Sequence, residues 1–473
     1  MGTINSALSI VTQALDADQQ ALNVVANNVA NTNTPGYTEE TPTWKENQPL
    51  NIDAVTIGQG VTETGATSER DRVLESRLDQ QQQLASASGS RLTALNTLQA
   101  LFTPDSGSSS STAGDIGSDI TKFFSSFSSL EANPTDNALR QSVLSTAGTL
   151  AGDVSNAAAS LNSQRLALDQ EAAGVTSQVN SLTSAIAQLN QQIQTISPDA
   201  DAGTLEDQRQ NDLSQLSQLI GINQITTENN GLAITTTSGQ LLLSGGTSYQ
   251  LTTGTLNGVT DFFVDNTDVT SELATGGGSL GGYLTARDQD IPSALNSLDQ
   301  LAYSISTEIN TQNNAGTDLD GVTGTAASPL YIFSQPTVVT GSAASMSVVM
   351  TDPNQIAAAG AGDGTGDNSN AVAMAAMANQ AIVNGQTPTN YYSSFVARLG
   401  ATVSGVQTEN TAQNASVAQL QTQNNALSGV NLNDEASSLT TFERSYQAAS
   451  QVFAMLNTVM AAALNLGDQT AVS

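Results

Sequence analysis

The side chains of this sequence reactive enough to do chemistry are mainly carboxylates, because histidine and cysteine are both absent. That absence removes the imidazole base, the thiolate nucleophile, the Ser-His-Asp triad and nearly all zinc sites. Asp261 and Asp265 could in principle be the two acids of a glycosidase, which stand about 5–10 Å apart. Among 43 acidic residues such pairs arise by coincidence. "DLDG", Asp318 to Gly321, is half of a calcium loop without the carboxylate an EF-hand places downstream, and reads as a solvated turn. "GDGTGDNSN", Gly362 to Asn370, lacks the lysine of a phosphate-binding loop and reads as a loop capping the next helix. "GGGSLGGYL", Gly276 to Leu284, misses the dinucleotide-binding spacing and reads as a flexible return into a helical body. No catalytic, cofactor-binding or metal-binding residue is assigned, and the chain is read as a non-enzyme.

The remaining information lies in the elements rather than in reactive groups. At 473 residues the chain is long enough for a sizeable core and for two to four domains. Twelve basic residues against 43 acidic ones leave a formal charge of −31, which repels nucleic acid and anionic lipid alike. No nucleic-acid or membrane partner is expected. No run of eighteen apolar residues occurs, and "MGTINSALSI" lacks the basic flank and apolar block of a cleaved secretory signal. Gly2 with Ser6 fits only a loose acylation pattern and carries nothing.

Both ends of the chain carry apolar stripes at helical spacing. Ile4, Leu8, Val11, Leu15, Leu22, Val25 and Val29 recur at three- and four-residue steps, with Asp18 interrupting one inward position. A helix stop follows in "ANNVANTNTPGY": Asn27, Asn28, Asn31 and Asn33 tolerate turn geometry, Pro35 cannot continue a helix, Gly36 supplies positive φ, and Tyr37 closes the motif. At the other end Leu432, Leu439, Phe442, Tyr446, Ala449, Phe453, Leu456, Met460 and Ala463 form a second seam, opened by Asn431, Asp434 and Glu435 and closed at Gly467. Each terminal helix needs another surface to cover its stripe, since burying a Leu, Val or Ile is worth about 1.5–3 kcal/mol. The spacing therefore predicts that they pair with each other and, more fully, with other copies.

Between the ends, Val154, Leu161, Leu168, Val175, Leu182, Leu189 and Ile196 fall at strict seven-residue intervals. Ala158, Arg165, Ala172, Val179, Ile186 and Ile193 run beside them, so the segment reads as a coiled-coil rod of about 60 Å serving an intramolecular core. Further helices are expected over Val73–Phe102, Ile120–Leu130, Asn137–Gly152, Gln208–Ile220, Ile291–Asn310 and Ala371–Leu427, the last broken at "NGQTPTN". "DSGSSSSTAG", Asp105 to Gly114, reads as a flexible connection. Ile222–Gly278 and Leu319–Gly366 show β-branched runs split by Gly and Asn, and read as hairpins. The expected fold is mainly α with a β insertion: a long helical coiled-coil or bundle trunk formed by N- and C-terminal parts, plus a small β-rich outer domain. In residues this gives a terminal helical polymerisation domain (1–50 and 429–473), a helical trunk (51–221, 279–318 and 371–428) and a β-rich insert (222–278 and 319–370).

Two stretches in this order resemble a known family. "ALSIVTQALDADQQALNVVANNVANTNTPGY" resembles the N-terminal signature of the bacterial flagellar axial proteins, and "SGVNLNDEASSLTTFERSYQAASQVFAMLNTVMAAAL" is similar to their paired C-terminal helix. Interior stretches such as "VLESRLDQQQQLASASGSRLTALNTLQALF" and "FFSSFSSLEANPTDNALRQSVLSTAGTLAG" are similar to the helical trunk of the FlgK family of hook-associated, hook–filament junction proteins. The resemblance implies a structural adaptor of the flagellum, joining hook to filament by homo-oligomeric ring assembly through its terminal helices. It further implies the hook protein and a second, FlgL-like junction protein as neighbours, an FlgN-like export chaperone at the C-terminal helix, and passage through the flagellar type III export apparatus without a cleaved signal to the cell exterior. On this reading Ile4, Leu8, Val11, Leu15, Leu22, Val25 and Val29 assemble with Leu439, Phe442, Tyr446, Phe453, Leu456 and Met460, and the stop at Asn31 to Gly36 turns the chain outward into the trunk. "TEET" after Tyr37 departs from the basic or serine-rich run of relatives, so family salt bridges do not carry over. The β region is short for the family, so an outer third domain is expected to be absent. Another rod or hook component, or an extracellular adhesin or carbohydrate-active protein, stands as the alternative.

Overall fold

The computed structural model describes residues 2–52, 55–102, 115–196, 201–256 and 258–470. The chain opens with α1 (Gly2–Asn31), followed by a long antiparallel hairpin of β1 (Glu40–Glu46) and β4 (Val61–Ser68), with the short strands β2 (Leu50–Ile52) and β3 (Val55–Ile57) at its far end. Four helices come next: α2 (Arg72–Ala100), α3 (Ile116–Ala132), α4 (Asn137–Ile196) and α5 (Gly203–Leu219). Side chains start three of them. Asp71 accepts from the amides of Val73 and Leu74, Asp115 from Ser118, and Asp136 from Ala138, each satisfying amides that a helix start leaves free.

A β region then forms two antiparallel sheets. The first joins β5 (Ile222–Thr226), β6 (Leu232–Thr236), β7 (Leu241–Ser244) and β8 (Thr247–Ser248); the second joins β9 (Leu251–Leu256), β10 (Val259–Val264) and β11 (Thr267–Asp268). The chain returns through α6 (Thr270–Gly276), α7 (Gly278–Thr285), a π-helical turn at Ala286–Asp290 and α8 (Ile291–Ala315). After an irregular segment holding α9 (Ser342–Ser345), it finishes with α10 (Ser369–Ala376), α11 (Pro388–Ser428) and α12 (Leu432–Thr470).

Two hydrophobic cores lie along α4. The first gathers the apolar faces of α2, α3, α8 and α11 on the first half of α4, with Phe123 edge-on to Phe127 and Phe333 at ring separations of 5.3 and 5.4 Å. The second packs the β sheets, α5 and α7 on the second half. Leu168 belongs to the first core and Ala172 to the second, so one helix about 90 Å long is shared between both. Its heptad residues Val154, Leu161, Leu168 and Val175 are buried, whereas Ile196 at the end is exposed. The two stretches expected as Asn137–Gly152 and Val154–Ile196 are one helix. A glycine costs about 1 kcal/mol in a helix interior, and Ala151 and Val154 on either side of Gly152 are fully packed.

Four further expectations need correction. The hairpin Glu40–Ser68 takes the place of part of the expected terminal helix and helical trunk; on β4 half-buried Val61, Glu63 and Gly65 alternate with exposed Thr62 and Thr64, a strand signal on a ladder that only one face covers. Leu319–Gly366 is not a pair of hairpins but an irregular cover over α3, α4 and α8, held by isolated bridges and by side chains. There Asn310 binds both backbone groups of Phe333 (2.9 and 3.0 Å), Asn313 bonds Leu330 O and Ala357 N (2.7 and 2.9 Å), and Asp299 accepts from Gly341 and Ala343. These side chains of α8 replace the strand partners that a buried extended backbone otherwise requires. Gly276–Leu284 is no flexible return, since it contributes the tightly crossed helix α7: a Cβ on Gly282 would collide with Ser90 and the Ala87 carbonyl of α2. Gly467 does not end α12, which continues to Thr470. The Asp105–Gly114 connection lies outside the described residues.

Candidate functional site

The terminal helices pair along their length, and they divide the expected seam in two. On α1 the residues that meet α12 and the hairpin most closely are Ala17, Ala21, Val25 and Asn28, all buried; the small side chains allow close approach. Ile4, Leu8, Val11, Leu15 and Leu22 are half-buried, and Val29 is exposed. On α12, Phe442, Ala449, Phe453, Leu456, Met460 and Ala463 form a half-buried inner face. Leu439 and Tyr446, placed by spacing on that same seam, are exposed instead. Stepping about 100° per residue, Leu432, Leu439, Tyr446 and Leu464 fall on one flank of the inner face, and Val452, Met455 and Val459 on the other. All seven are exposed, with Met455 at 66% the most open. The apolar arc of α12 therefore extends beyond α1 on both sides.

The hairpin was not foreseen as part of this site. Trp44 of β1 lies 6.0 Å from the ring of Phe442, and Gly60, at φ +83°, lets the chain come within van der Waals reach of Ile10. The hairpin thus straps α1 and reaches α12. Trp44, an indole three residues after "TEET", was the signal that could have shown it.

The helix stop behaves as expected in its backbone and exceeds expectation in its side chains. α1 ends at Asn31, the amide of Thr34 bonds Asn31 O at 2.8 Å, and Gly36 takes φ +79°, a conformation for which glycine carries no Cβ penalty. Asn31 reaches back to Asn27 O and Oδ1 (3.1 and 2.9 Å). Asn28, 1% exposed, makes the decisive bonds. Its Nδ2 donates to Glu40 O (2.8 Å) and to Glu435 Oε1 (2.7 Å), while its Oδ1 accepts from Tyr37 OH (2.7 Å) and Glu40 N (3.1 Å). One amide therefore ties the end of α1, the turn, the start of β1 and the start of α12. Beside it the amide of Glu39 donates to Ser428 O at 2.9 Å, joining β1 to the α11–α12 connection.

Behind this corner stands a buried charge network. Arg70 pairs with Glu75 at 2.8 Å and with Asp207, Arg72 pairs with Glu206 at 2.9 Å, and Asp207 in turn accepts from the Thr38 amide at 3.1 Å. Burial pushes the Glu75 carboxyl up to about 7 in spite of Arg70, and pushes Asp79, held by the amides of Gln210 and Gln224, up to about 6. Burial, followed by nearby carboxylates, raises Tyr37, Glu39, Glu40 and Glu435 as well. A cavity of about 210 Å³ opens between Pro35, Tyr37, Asp79, Gln210, Asn425 and Ser428.

The other candidates serve structure. Asp261 lies on β10 and Asp265 in the β10–β11 turn at φ +49°. Asp318 is buried rather than solvated, accepting from the amides of Asp320 and Val322 (3.0 and 2.7 Å). Asp367 accepts from Gly360 and from Ser369 at the start of α10, the expected capping role. Among the described residues no group of three or more carboxylates is placed to hold a metal, and no helix is long and apolar enough to cross a membrane.

Residues 105–327 match the model of the flagellar hook-associated protein FlgK helical domain, and residues 8–38, which contain the helix stop, match that of the flagella basal body rod protein. Flagellar hook-associated protein 1 of Escherichia coli (strain K12) is 26% identical over 556 residues, covering 98% of this chain and 99% of that protein. The Bacillus subtilis protein of the same name is 24% identical over 511 residues, covering 97% of each. Both spans exceed the 473 residues here, so these relatives carry segments this chain lacks. The flagellar hook junction protein FlgK from Burkholderia pseudomallei shares the fold at a TM-score of 0.63 and 19% identity, over 74% of this chain and 99% of that one.

The two-ended helical architecture and the two family matches together define an axial structural protein of the bacterial flagellum. Within that class the chain is similar, over nearly its whole length, to the flagellar hook-associated protein 1 relatives and to the FlgK helical domain, which are structural components rather than enzymes.

Proposed function

We propose that the chain joins the flagellar hook to the filament by assembling with copies of itself through α1 and α12, with hook protein on one side and a second, FlgL-like junction protein on the other. The observation that carries this reading is the apolar arc of α12. Leu439 and Tyr446 on one flank, and Met455 and Val459 on the other, are exposed in the single chain while α1 covers only the face between them. A helix exposed on both flanks suits a position between two neighbouring copies, each burying one row. The terminal unit (1–50 and 429–473) then polymerises, the trunk (51–221, 279–318 and 371–428) with the segment 319–370 packed on it surrounds that unit, and the insert 222–278 faces outward. Before assembly the same rows of α12 offer a surface for an FlgN-like export chaperone, and the protein reaches the cell exterior through the flagellar type III apparatus.

The test uses Met455→Asp with Val459→Asp. Both side chains are exposed, so circular dichroism and thermal midpoint of the monomer stay as in the wild type while assembly is lost. A double variant that restores filament growth in a junction-deficient strain refutes the reading.

A further inference from the structure

Glu435 stands at the start of α12 and is 4% exposed, an unusual placement for a carboxylate with no cation beside it. Its Oε1 accepts from Asn28 Nδ2, and its Oε2 has no hydrogen-bond partner. The groups facing it come from every element at the corner. α1 contributes the uncharged Asn28; the turn contributes Tyr37, whose hydroxyl is already donated to Asn28; the position before β1 contributes Glu39, which Glu69 also faces and which accepts from the Asn431 amide at 3.4 Å; and α12 itself contributes Asp434. Behind them the Glu40 carboxyl faces Asp207 of α5 and Asp201, and Asp207, which also acts on Tyr37, is already paired with Arg70, which also holds Glu75. Among the described residues no cation pairs with Glu39, Glu40 or Glu435. An arginine or lysine would be the ordinary solution for a carboxylate buried at an interface. Its absence leaves a proton as the group that relieves the site.

We propose that the start of α12 is a proton-operated clasp: the carboxyls of Glu435 and Glu39 hold α12 against α1 and the start of β1 when the pair carries a proton, and loosen it when both are charged. The sign follows from burial and like charge, which favour the neutral carboxyl in the closed state and outweigh the Asn431 and Asn28 amides that favour the charged one. The closed state binds the extra proton, so its advantage is full below the ordinary glutamate range and declines as pH rises through the raised values. At neutral pH the clasp is at its weakest, and α12 is most ready to exchange contacts within its own chain for contacts elsewhere. The clasp is a property of the single chain and holds whatever later covers the outer rows.

The absence of cysteine makes the test direct. Ser404→Cys on α11 and Ala448→Cys on α12, both exposed, accept spin labels in the full chain. The distance distribution between them should be narrow at about pH 5 and broad at about pH 8, and Glu435→Gln, which keeps the Asn28 bond and removes the charge, should make it narrow at both. Equal widths at the two pH values in the unsubstituted background, or an E435Q distribution as broad as that background at about pH 8, overturns the proposal. Should E435Q not fold, Glu39→Gln, which leaves the buried bond untouched, must narrow the distribution at the higher pH or the proposal fails.

Discussion

Replacing Asn28 by alanine tests the corner directly, because the structure allows the cost to be apportioned. The side chain makes two donated and two accepted bonds, to Glu40 O, Glu435 Oε1, Tyr37 OH and Glu40 N, all between 2.7 and 3.1 Å. A buried polar group left without a partner costs about 1–3 kcal/mol, with the upper end for a charged one. Tyr37 and Glu40 are half-buried and can recover water, whereas Glu435 is buried and cannot unless the helix moves. The stranded carboxylate gives a loss of about 2–3 kcal/mol, a factor of about 30 to 150 in the closing equilibrium of the terminal helices. The trunk does not share these bonds, so the loss is local. Hydrogen exchange resolved by peptide should therefore show α12 and the end of α1 losing protection by about that factor in Asn28→Ala, while α2, α3 and α4 keep theirs. Unchanged protection of α12 would mean that the corner does not hold the helices. An equal loss across the trunk would mean that the terminal pair is not a separately opening unit.

Two further outcomes follow from the trunk. Burial raises the Asp79 carboxyl from its ordinary 3.8 to about 6, so the folded state binds the extra proton; its stabilising effect is complete below the ordinary value and is lost as pH rises through about 6. Asp79→Asn should accordingly raise the thermal midpoint at about pH 8, and wild type and variant should converge toward about pH 4; a variant less stable at the higher pH contradicts this account. Gly282→Ala places a methyl group against Ser90 and the backbone of α2, and the resulting overpacking should lower stability to urea by about 1–3 kcal/mol, whereas a neutral result would show that α7 is free to shift.

Periodicity was a good guide wherever one face of a helix meets one continuous core. Val154, Leu161, Leu168 and Val175 announced α4, and the Asn-rich stretch ending in Pro35 and Gly36 announced where α1 stops. Periodicity was a poor guide where side chains replace backbone partners. The β-branched run from Val338 to Met350 has the composition of strands, but Asn310, Asn313 and Asp299 of α8 satisfy the backbone in and around it, and no ladder is needed. The hairpin Glu40–Ser68 escaped notice because its polar, half-exposed faces carry little hydrophobic contrast, and Pro42 speaks against a strand unless the ladder has free edges.

The terminal site divides in the same way. From the amino acids alone follow an apolar stripe at each end, an enforced stop after the first, and a cation-poor chain without imidazole or thiol, because these depend on residue type and on spacing within one element. Tertiary structure decided which part of the α12 stripe α1 covers, placing Phe453 inside and Leu439 and Tyr446 outside. It also made Asn28, one asparagine among several in the motif, the group that meets Glu435 from 407 positions away. Spacing along a helix sets only the angle between neighbours; what lies opposite each angle is set by packing between distant segments, and no local pattern contains it.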